Sequence, residues 1–440
     1  MNILIICTYF PPDSTIAAVR PYMFAKYLTQ AGHKVTVLRS GEFYSPPDDS
    51  YPLHEQRFRI ITYLGSESPA ERYEKGTYVE QSEKPGGKTD RIPQWIKKTA
   101  KFCLNPVVFM RGIRRIKKRY TKMQEAIDRL TDESWDIVFS TYGNLENIWG
   151  GQYASKKLNA KWIMDFRDPV VCYDEPLDYT WNYYASGIQK HAVQNADICT
   201  AVSEGLKERL IKSASDAHVI TLYNGYDADN LPETEALKTD RDHLTFCYLG
   251  TIYKESARAL DLLLRALNRQ IDNGEISKNK LRFIFGGKEE EEVKTLFEKN
   301  HMGSVLEWVG YVDRNTALRI QQESDIFLVL SWNTQSSQGV LTGKFYEGIR
   351  ANKPILAVIA GNVPNSELRK LNQLYHFGFC FEESMALKEQ QLFSQYILDL
   401  YNEKMKSGKI PFVSNKALAQ AFRYDCLSAK LETMMASLIN

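Results

Sequence analysis

The chain of 440 residues lacks most of the short motifs that announce a metal or a redox cofactor. Its seven cysteines (Cys7, Cys103, Cys172, Cys199, Cys247, Cys380 and Cys426) form no CxxC pair, and its seven histidines show neither HExxH nor HxH spacing. Neither a zinc site nor a dithiol site is therefore indicated, and most of the cysteines read as reduced core residues. No G-x-G-x-x-G follows the first apolar run, which argues against a nicotinamide oxidoreductase. No stretch reaches the roughly 18 apolar residues of a membrane-spanning helix. The run Ile3 to Cys7 is too short for a signal-peptide core and has no basic residue before it, so a cytoplasmic location is expected. No bound cofactor, no metal and no nucleic-acid partner are expected, the last because no nucleic-acid-binding motif accompanies the basic residues.

What is present is the profile of a soluble globular protein, with 43% hydrophobic and 25% charged residues. The length exceeds one ordinary core and predicts two domains. Asn2 to Thr8 is an Ile-rich run of the kind found in buried parallel strands. Val19 to Ala31 carries apolar residues at helical spacing, Gly32 ends it, and Lys34 to Leu38 is the next strand. That is a β-α-β unit, whose right-handed crossover builds a parallel sheet. Further strands are predicted at 137–141, 162–166, 198–202 and 219–222. A second series follows at 245–249, 282–285, 306–308, 326–330, 355–358 and 378–381, with helical segments such as 257–272 and 289–299 between strands. The pattern predicts an α/β protein of two Rossmann-like parallel-sheet domains facing a central cleft, spanning 1–235 and 241–413. Pro232–Asp242 would join them, and 414–440 would form one or two amphipathic helices packing back on the N-terminal domain.

Two insertions within 43–122 stand out. Phe43 to Arg91 is polar, poorly periodic and rich in Tyr, Glu, Pro and Gly, and is expected to be a long loop or lid. Trp95 to Lys122 has ten Lys or Arg and no acidic residue, interleaved with Trp95, Phe102, Val107, Val108, Phe109 and Met110. It fits a solvated helical face over a buried stripe. It fits equally a patch for anionic lipid centred on Arg114, Arg115, Lys117 and Lys118.

Three clusters carry chemistry. In the segment Gly339 to Pro354, Thr342 and Gly343 open a predicted helix with Lys344 and Glu347 one turn apart. A helix N-terminus offers free N–H groups and a positive dipole end to a phosphate, and Lys344 adds a point charge. Glu347 is placed to accept from a ribose diol. The same spacing also fits a surface Lys/Glu pair. Gly250, Thr251, Lys254 and Arg258 leave the strand at 245–249 and run into a helix, where the two bases would flank a diphosphate, or simply face solvent. Asp165, Arg167 and Asp168 end the strand at 162–166 and are the candidate catalytic group; an Arg167–Asp168 ion pair shaping the loop is the alternative.

These segments together resemble the GT-B glycosyltransferases of the family 4 type, over nearly the whole chain. The resemblance runs through Tyr9-Phe10-Pro11-Pro12, the stretch from Leu28 to Val37 containing Gly32-His33, the pair Arg167-Asp168, Val202 to Gly205, Asn224-Gly225, Val309 to Val312, and Lys344 to Glu347, in the family order. The Arg-Asp pair is common in members that build bacterial surface polysaccharides. The resemblance implies retaining, metal-independent transfer of a hexose or N-acetylhexosamine. The donor would be a nucleotide diphosphate sugar, uridine diphosphate first and guanosine diphosphate second. The acceptor would be a glycan or a lipid-linked precursor, with the protein in peripheral contact with the inner face of the membrane. It implies that Glu347 binds the ribose, that Lys254, Lys344 and the Thr342–Gly343 backbone hold the diphosphate, and that Gly310 and Tyr311 border the base. Arg20 is expected to reach the same phosphates.

The chain departs from the family in three places. Gly339, with Gln338 beside it, stands where a first glutamate precedes Glu347. The stretch Ser14 to Ala18 replaces paired glycines, and no histidine accompanies Asp165–Asp168. These departures bear on sugar contact and catalysis more than on the donor site. Two other classes share the expected fold: a nucleotide-sugar 2-epimerase and a non-catalytic partner subunit.

Overall fold

The structure, a computed structural model, describes residues 1–13, 15–42, 51, 53, 57–64, 94–171, 179–214, 217–229, 239–413 and 415–439, the side chains of 94–105 and 179 excepted. The chain forms two compact units, Met1–Gly225 with Tyr424–Asn440, and Tyr226–Arg423.

The first unit is built on a seven-stranded sheet: β1 (Asn2–Cys7), β2 (Lys34–Arg39), β3 (Arg59–Thr62), β4 (Ile137–Thr141), β5 (Lys161–Phe166), β6 (Ile198–Ala201) and β7 (Val219–Thr221). They lie in the order β3-β2-β1-β4-β5-β6-β7, and every pairing is parallel. Ile3 to Cys7 and all of β4 are buried because helices cover both faces of a parallel sheet, so the strands read as unbroken apolar runs. The helices are α1 (Ile16–Gln30), α2 (Gln94–Asp128), α3 (Leu145–Leu158), α4 (Tyr179–Asn195) and α5 (Glu204–Ser213). Ser203 caps α5 by accepting from the Leu206 N–H. The expected loop over 43–91 contains β3, which pairs with β2 at the sheet edge. Four half-exposed residues give too short an alternation to read without that neighbour. Most of the rest of the expected loop lies outside the described residues, as does most of the expected join.

The basic segment is one continuous helix, α2, with Pro106 inside it. Ile113, Met123 and Ile127 bury one side against the core, and Phe109 and Ile116 pack against it partly. Val107, Val108 and Met110 remain exposed, as do Arg114, Arg115, Lys117 and Lys118.

The second unit carries β8 (Leu244–Leu249), β9 (Leu281–Gly286), β10 (Leu306–Trp308), β11 (Ile326–Trp332), β12 (Ile355–Ala360) and β13 (Gly378–Glu382), in the order β10-β9-β8-β11-β12-β13. Its helices are α6 (Lys254–Asp272), α7 (Glu290–Lys299), α8 (Arg314–Glu323), α9 (Gly343–Ala351), α10 (Glu367–Tyr375), α11 (Ala386–Ser407) and α12 (Lys416–Phe422). The strand order reverses beside β1 in the first sheet and beside β8 in the second. In open α/β sheets such switch points, at the carboxyl ends of the strands, are where ligands bind.

The last segment divides at Arg423. The helix α12 belongs to the second unit, where Phe422 packs its ring against Phe345 at 5.3 Å. The final helix α13 (Tyr424–Ile439) belongs to the first, with Tyr424, Leu427, Leu431 and Met435 in the same core cluster as Tyr22 and Phe24 of α1. Cys7, Cys199, Cys247 and Cys380 are buried and unbridged. Among the described residues no helix is long and apolar enough to cross a membrane.

Candidate functional site

In the second unit, the loop after β11 leads through Gly339 to α9. Gly339 has φ +74°, in the left-handed region that glycine adopts without penalty. The loop is therefore shaped for a glycine at this position. Thr342 precedes α9, but its side chain makes no capping bond, and its Oγ1 is buried without a hydrogen-bond partner. The first N–H groups of a helix have no acceptor within it, so this end of α9 combines unsatisfied donors with an unsatisfied hydroxyl.

The helix is held from below. Phe345 stacks edge-on against Phe377 at 5.2 Å and Phe422 at 5.3 Å, and a side chain at Gly348 would meet Phe327 at 2.9 Å. That close packing leaves the other face to Lys344 and Glu347. Lys344 Nζ donates to both Glu347 oxygens, at 2.6 and 2.8 Å. Gln321 of α8 donates to Glu347 Oε2 at 2.8 Å and accepts from Arg350 Nη2 at 3.3 Å. Lys344 and Glu347 are about one-fifth to one-quarter exposed, partly desolvated yet open to a ligand.

Lys344 also lies against the loop after β8. A side chain at Gly250 would meet Lys344 Cε at 2.5 Å, so it would push the end of the lysine aside. Gly250 donates to Gly286 O at 2.8 Å, and Gly287 donates to Gly310 O at 3.1 Å. A Cβ at Gly287 would meet Gly250 O at 2.5 Å. The ends of β8, β9 and β10 thus close into a side-chain-free cradle beside Lys344. Glu289 steadies it by accepting from the Ile252 N–H at 3.1 Å, and the Tyr248 hydroxyl donates to Thr251 O at 2.9 Å. Tyr253, from the loop after β8, and Trp332, the last residue of β11, meet edge-on at 5.9 Å at the switch point. Gly286, Gly287, Glu289, Gln321 and Trp332 are parts of this site that the sequence reading missed. Gly286-Gly287 directly after a buried strand was the available signal; nothing in the sequence pairs Gln321 with Glu347.

The other expected donor residues are spread around this centre. Lys254 is the first residue of α6 and is exposed, as is Thr251, and Tyr311 is 87% exposed. Gly310 has φ +71° in the same cradle. Arg258 was expected beside Lys254 on a diphosphate. Its Nη2 and Nε instead donate to Glu383 Oε1 at 2.7 and 3.0 Å, and Glu383 also accepts from Gly361 N. Arg258 therefore ties α6 to the loops after β12 and β13.

In the first unit, two expected site residues turn inward. Arg20 is 2% exposed and Asp165 is fully buried. Arg20 Nη2 and Nε donate to Asp165 Oδ1 and Oδ2 at 2.7 and 3.0 Å, and the remaining donors reach Leu222 O, Tyr223 O and Asn224 Oδ1. Thr141 and Thr200 also donate to Asp165, at 2.7 and 2.6 Å. Arg20 is thus not presented to a phosphate, nor Asp165 to a sugar. The pair holds the carboxyl ends of β4, β5, β6 and β7 together. Arg167 and Asp168 do stand at the surface, joined at 3.0 Å, with the Arg167 guanidinium 5.2 Å over the Tyr9 ring. Burial pushes the Tyr9 hydroxyl above its ordinary pKa. Beside them a side chain at Gly143 would meet Thr8 at 3.0 Å and Tyr9 at 3.1 Å, so this switch point is closely packed.

No protein-family model and no curated protein sequence matches the chain. Solved structures do. The sucrose-phosphate synthase of Thermosynechococcus elongatus aligns with a TM-score of 0.62 at 13% identity, over 100% of this chain and 99% of that one. The lipopolysaccharide outer core galactosyltransferase WaaB aligns at 0.55 and 12% identity, over 99% of each. A putative UDP-N-acetylglucosamine 2-epimerase from Listeria monocytogenes aligns at 0.52 and 9% identity, over 99% of this chain and 96% of that one. At such identities the likeness is one of fold. The chain has the two Rossmann-like parallel-sheet domains of GT-B glycosyltransferases, a fold that these 2-epimerases share.

Proposed function

We propose that the chain is a glycosyltransferase that moves a hexose or N-acetylhexosamine from a nucleotide diphosphate sugar, with uridine diphosphate as the carrier. The observation that carries this reading is the N-terminal turn of α9, where Lys344 and Glu347 lie beside the glycine cradle and Thr342 Oγ1 lacks a partner. Lys344, Lys254 and the first N–H groups of α9 meet the charge that gathers on the diphosphate as the glycosidic bond breaks. Such fixed donors stabilise developing charge better than water does. Glu347, oriented by Gln321, accepts from the ribose hydroxyls, and Gly310 and Tyr311 border the base. In this reading transfer retains the anomeric configuration and the protein groups meet the charge without a metal. Arg167 and Asp168 are the catalytic pair of this reading, and Asp165 acts through the strand ends it holds. The acceptor is a glycan or a lipid-linked precursor, reached at the inner face of an anionic membrane through Arg114, Arg115, Lys117 and Lys118 of α2.

Calorimetric titration with UDP and GDP tests the donor site. Saturable binding of UDP, weakened in Lys344→Ala, is expected. Binding of neither nucleotide would favour a non-catalytic partner subunit. Because the fold is shared with 2-epimerases, the purified protein is also incubated with a UDP-sugar alone. An epimerised sugar in that mixture would replace the transferase reading.

A further inference from the structure

A second concave site lies within the first unit, built from residues other than those of the α9 cradle. A cavity of about 580 Å³ opens between α2, α3 and α4, within the size range of small-molecule pockets. Its walls are Tyr120 of α2, Trp149 and Tyr153 of α3, and Tyr184 of α4, with Lys117 and Lys156 at its sides. The residues fall at helical spacing: Lys117, Tyr120 and Thr121 on one helix, Trp149, Gln152, Tyr153 and Lys156 on the other. Each helix thus turns one aromatic, cationic face to the same space.

The rings are fixed in place. Tyr120 meets Trp149 at 5.6 Å and 65°, and Tyr153 at 6.4 Å and 86°. Tyr184 is braced from behind by Phe109 at 5.2 Å. The Tyr153 hydroxyl donates to Asp128 Oδ1 at 2.6 Å, a bond that pushes its pKa up to about 12 and keeps the ring neutral. No carboxylate lines the cavity, and neither Lys117 nor Lys156 has an ion-pair partner among the described residues.

We infer that this cavity binds a sugar bearing a phosphate or a similar anionic group. Steeply inclined rings form a concave apolar corner. That corner receives the puckered C–H face of a sugar, whereas a flat nucleobase needs a parallel slot. The two unpaired ammonium groups supply the point charges that hold a phosphate. The site stands one turn along α3 from the switch point of the seven-stranded sheet, because Trp149 follows Leu145, the first residue of that helix. That the sugar belongs to the acceptor rests on the transferase reading; the binding itself does not.

The test is run in the Lys344→Ala background, in which the donor cradle is weakened. Glucose 6-phosphate, glucose and inorganic phosphate are titrated by ligand-observed NMR. Binding to phosphatidylcholine vesicles carrying monophosphoryl lipid A, a phosphorylated glucosamine lipid, is compared with binding to vesicles carrying phosphatidylserine. Saturable binding of glucose 6-phosphate or of the lipid A vesicles is expected, at least tenfold weaker after Lys117→Ser with Lys156→Ser, two exposed positions where folding is not at stake. Trp149→Leu should weaken it similarly. Loss for the free sugar phosphate assigns a soluble anionic glycan, and loss confined to lipid A assigns a glycolipid head; both support the site. Equal binding by the parent and the double-serine protein, or binding of neither probe, overturns it.

Discussion

Arg20 and Asp165 form a two-point ion pair across 145 residues of sequence, with side chains 3% and 0% exposed. The partners surround it completely enough that removing one leaves a buried charge. Removing one member of a buried pair costs about 3–5 kcal/mol. Arg20→Ala is therefore expected to lose about that much in denaturant unfolding. Arg20→Lys, which cannot present a fork, should recover only part of it. A cost near that of a surface substitution would show that the pair does not hold the strand ends.

Lys344 and Glu347 orient each other at 2.6 and 2.8 Å. A hydrogen bond to a charged group contributes about 1.5–3 kcal/mol. Glu347→Ala and Lys344→Ala should each weaken UDP binding on the order of tenfold to a hundredfold in calorimetry. Gln321→Ala, which frees the Glu347 carboxylate without removing it, should have a smaller effect. Unchanged affinity in Glu347→Ala would refute its ribose role.

Gly339 holds φ +74°. Placing a glutamate there forces a side chain into left-handed backbone, at about 1–2 kcal/mol. Gly339→Glu should lower the melting temperature while leaving UDP affinity within a fewfold. Wild-type stability would show that the loop re-forms around the new side chain.

Lys404 of α11 donates to Asp325 at 2.7 Å, and both are buried at the start of β11. Burial raises the Asp325 pKa above its ordinary value, and Lys404 opposes that rise. A carboxyl raised on folding contributes stability that is fully present below its unfolded pKa and is lost as pH rises through the folded one. Lys404→Met removes an opposing charge, so the folded pKa climbs further. Its stability deficit against the parent should be larger at pH 8 than at pH 5. A deficit that does not vary with pH would contradict this assignment.

On α2, Val107, Val108 and Met110 are exposed in line with Arg111, Arg114, Arg115 and Lys118. Each basic residue near an anionic membrane surface contributes about 1 kcal/mol. Arg114, Arg115, Lys117 and Lys118 changed together to Ser should weaken sedimentation with phosphatidylserine vesicles by more than a hundredfold. Undiminished binding would end the membrane proposal.

The strands and the opening of α9 were legible because both are local. A buried parallel strand is an unbroken apolar run, and Thr342-Gly343 before an apolar helical repeat marks a helix start. Both sheets therefore appear in the sequence nearly at their observed boundaries. The edge strand β3 did not, because four half-exposed residues carry no period of their own. Nor did the inward turn of Arg20 and Asp165. A charged residue after a strand and another on a helix look the same in sequence whether they face a ligand or each other.

The sequence by itself thus determined two parallel α/β domains and a helix start at Thr342-Gly343, since apolar periodicity and glycine placement act over a few residues. Only the tertiary structure decided which charges are free. Gln321 with Glu347 and Gly287 against Gly250 meet, and Lys117 and Lys156 line one cavity, because strand order and helix packing bring them together. Hydrogen bonding and desolvation then act across distances that no local spacing encodes.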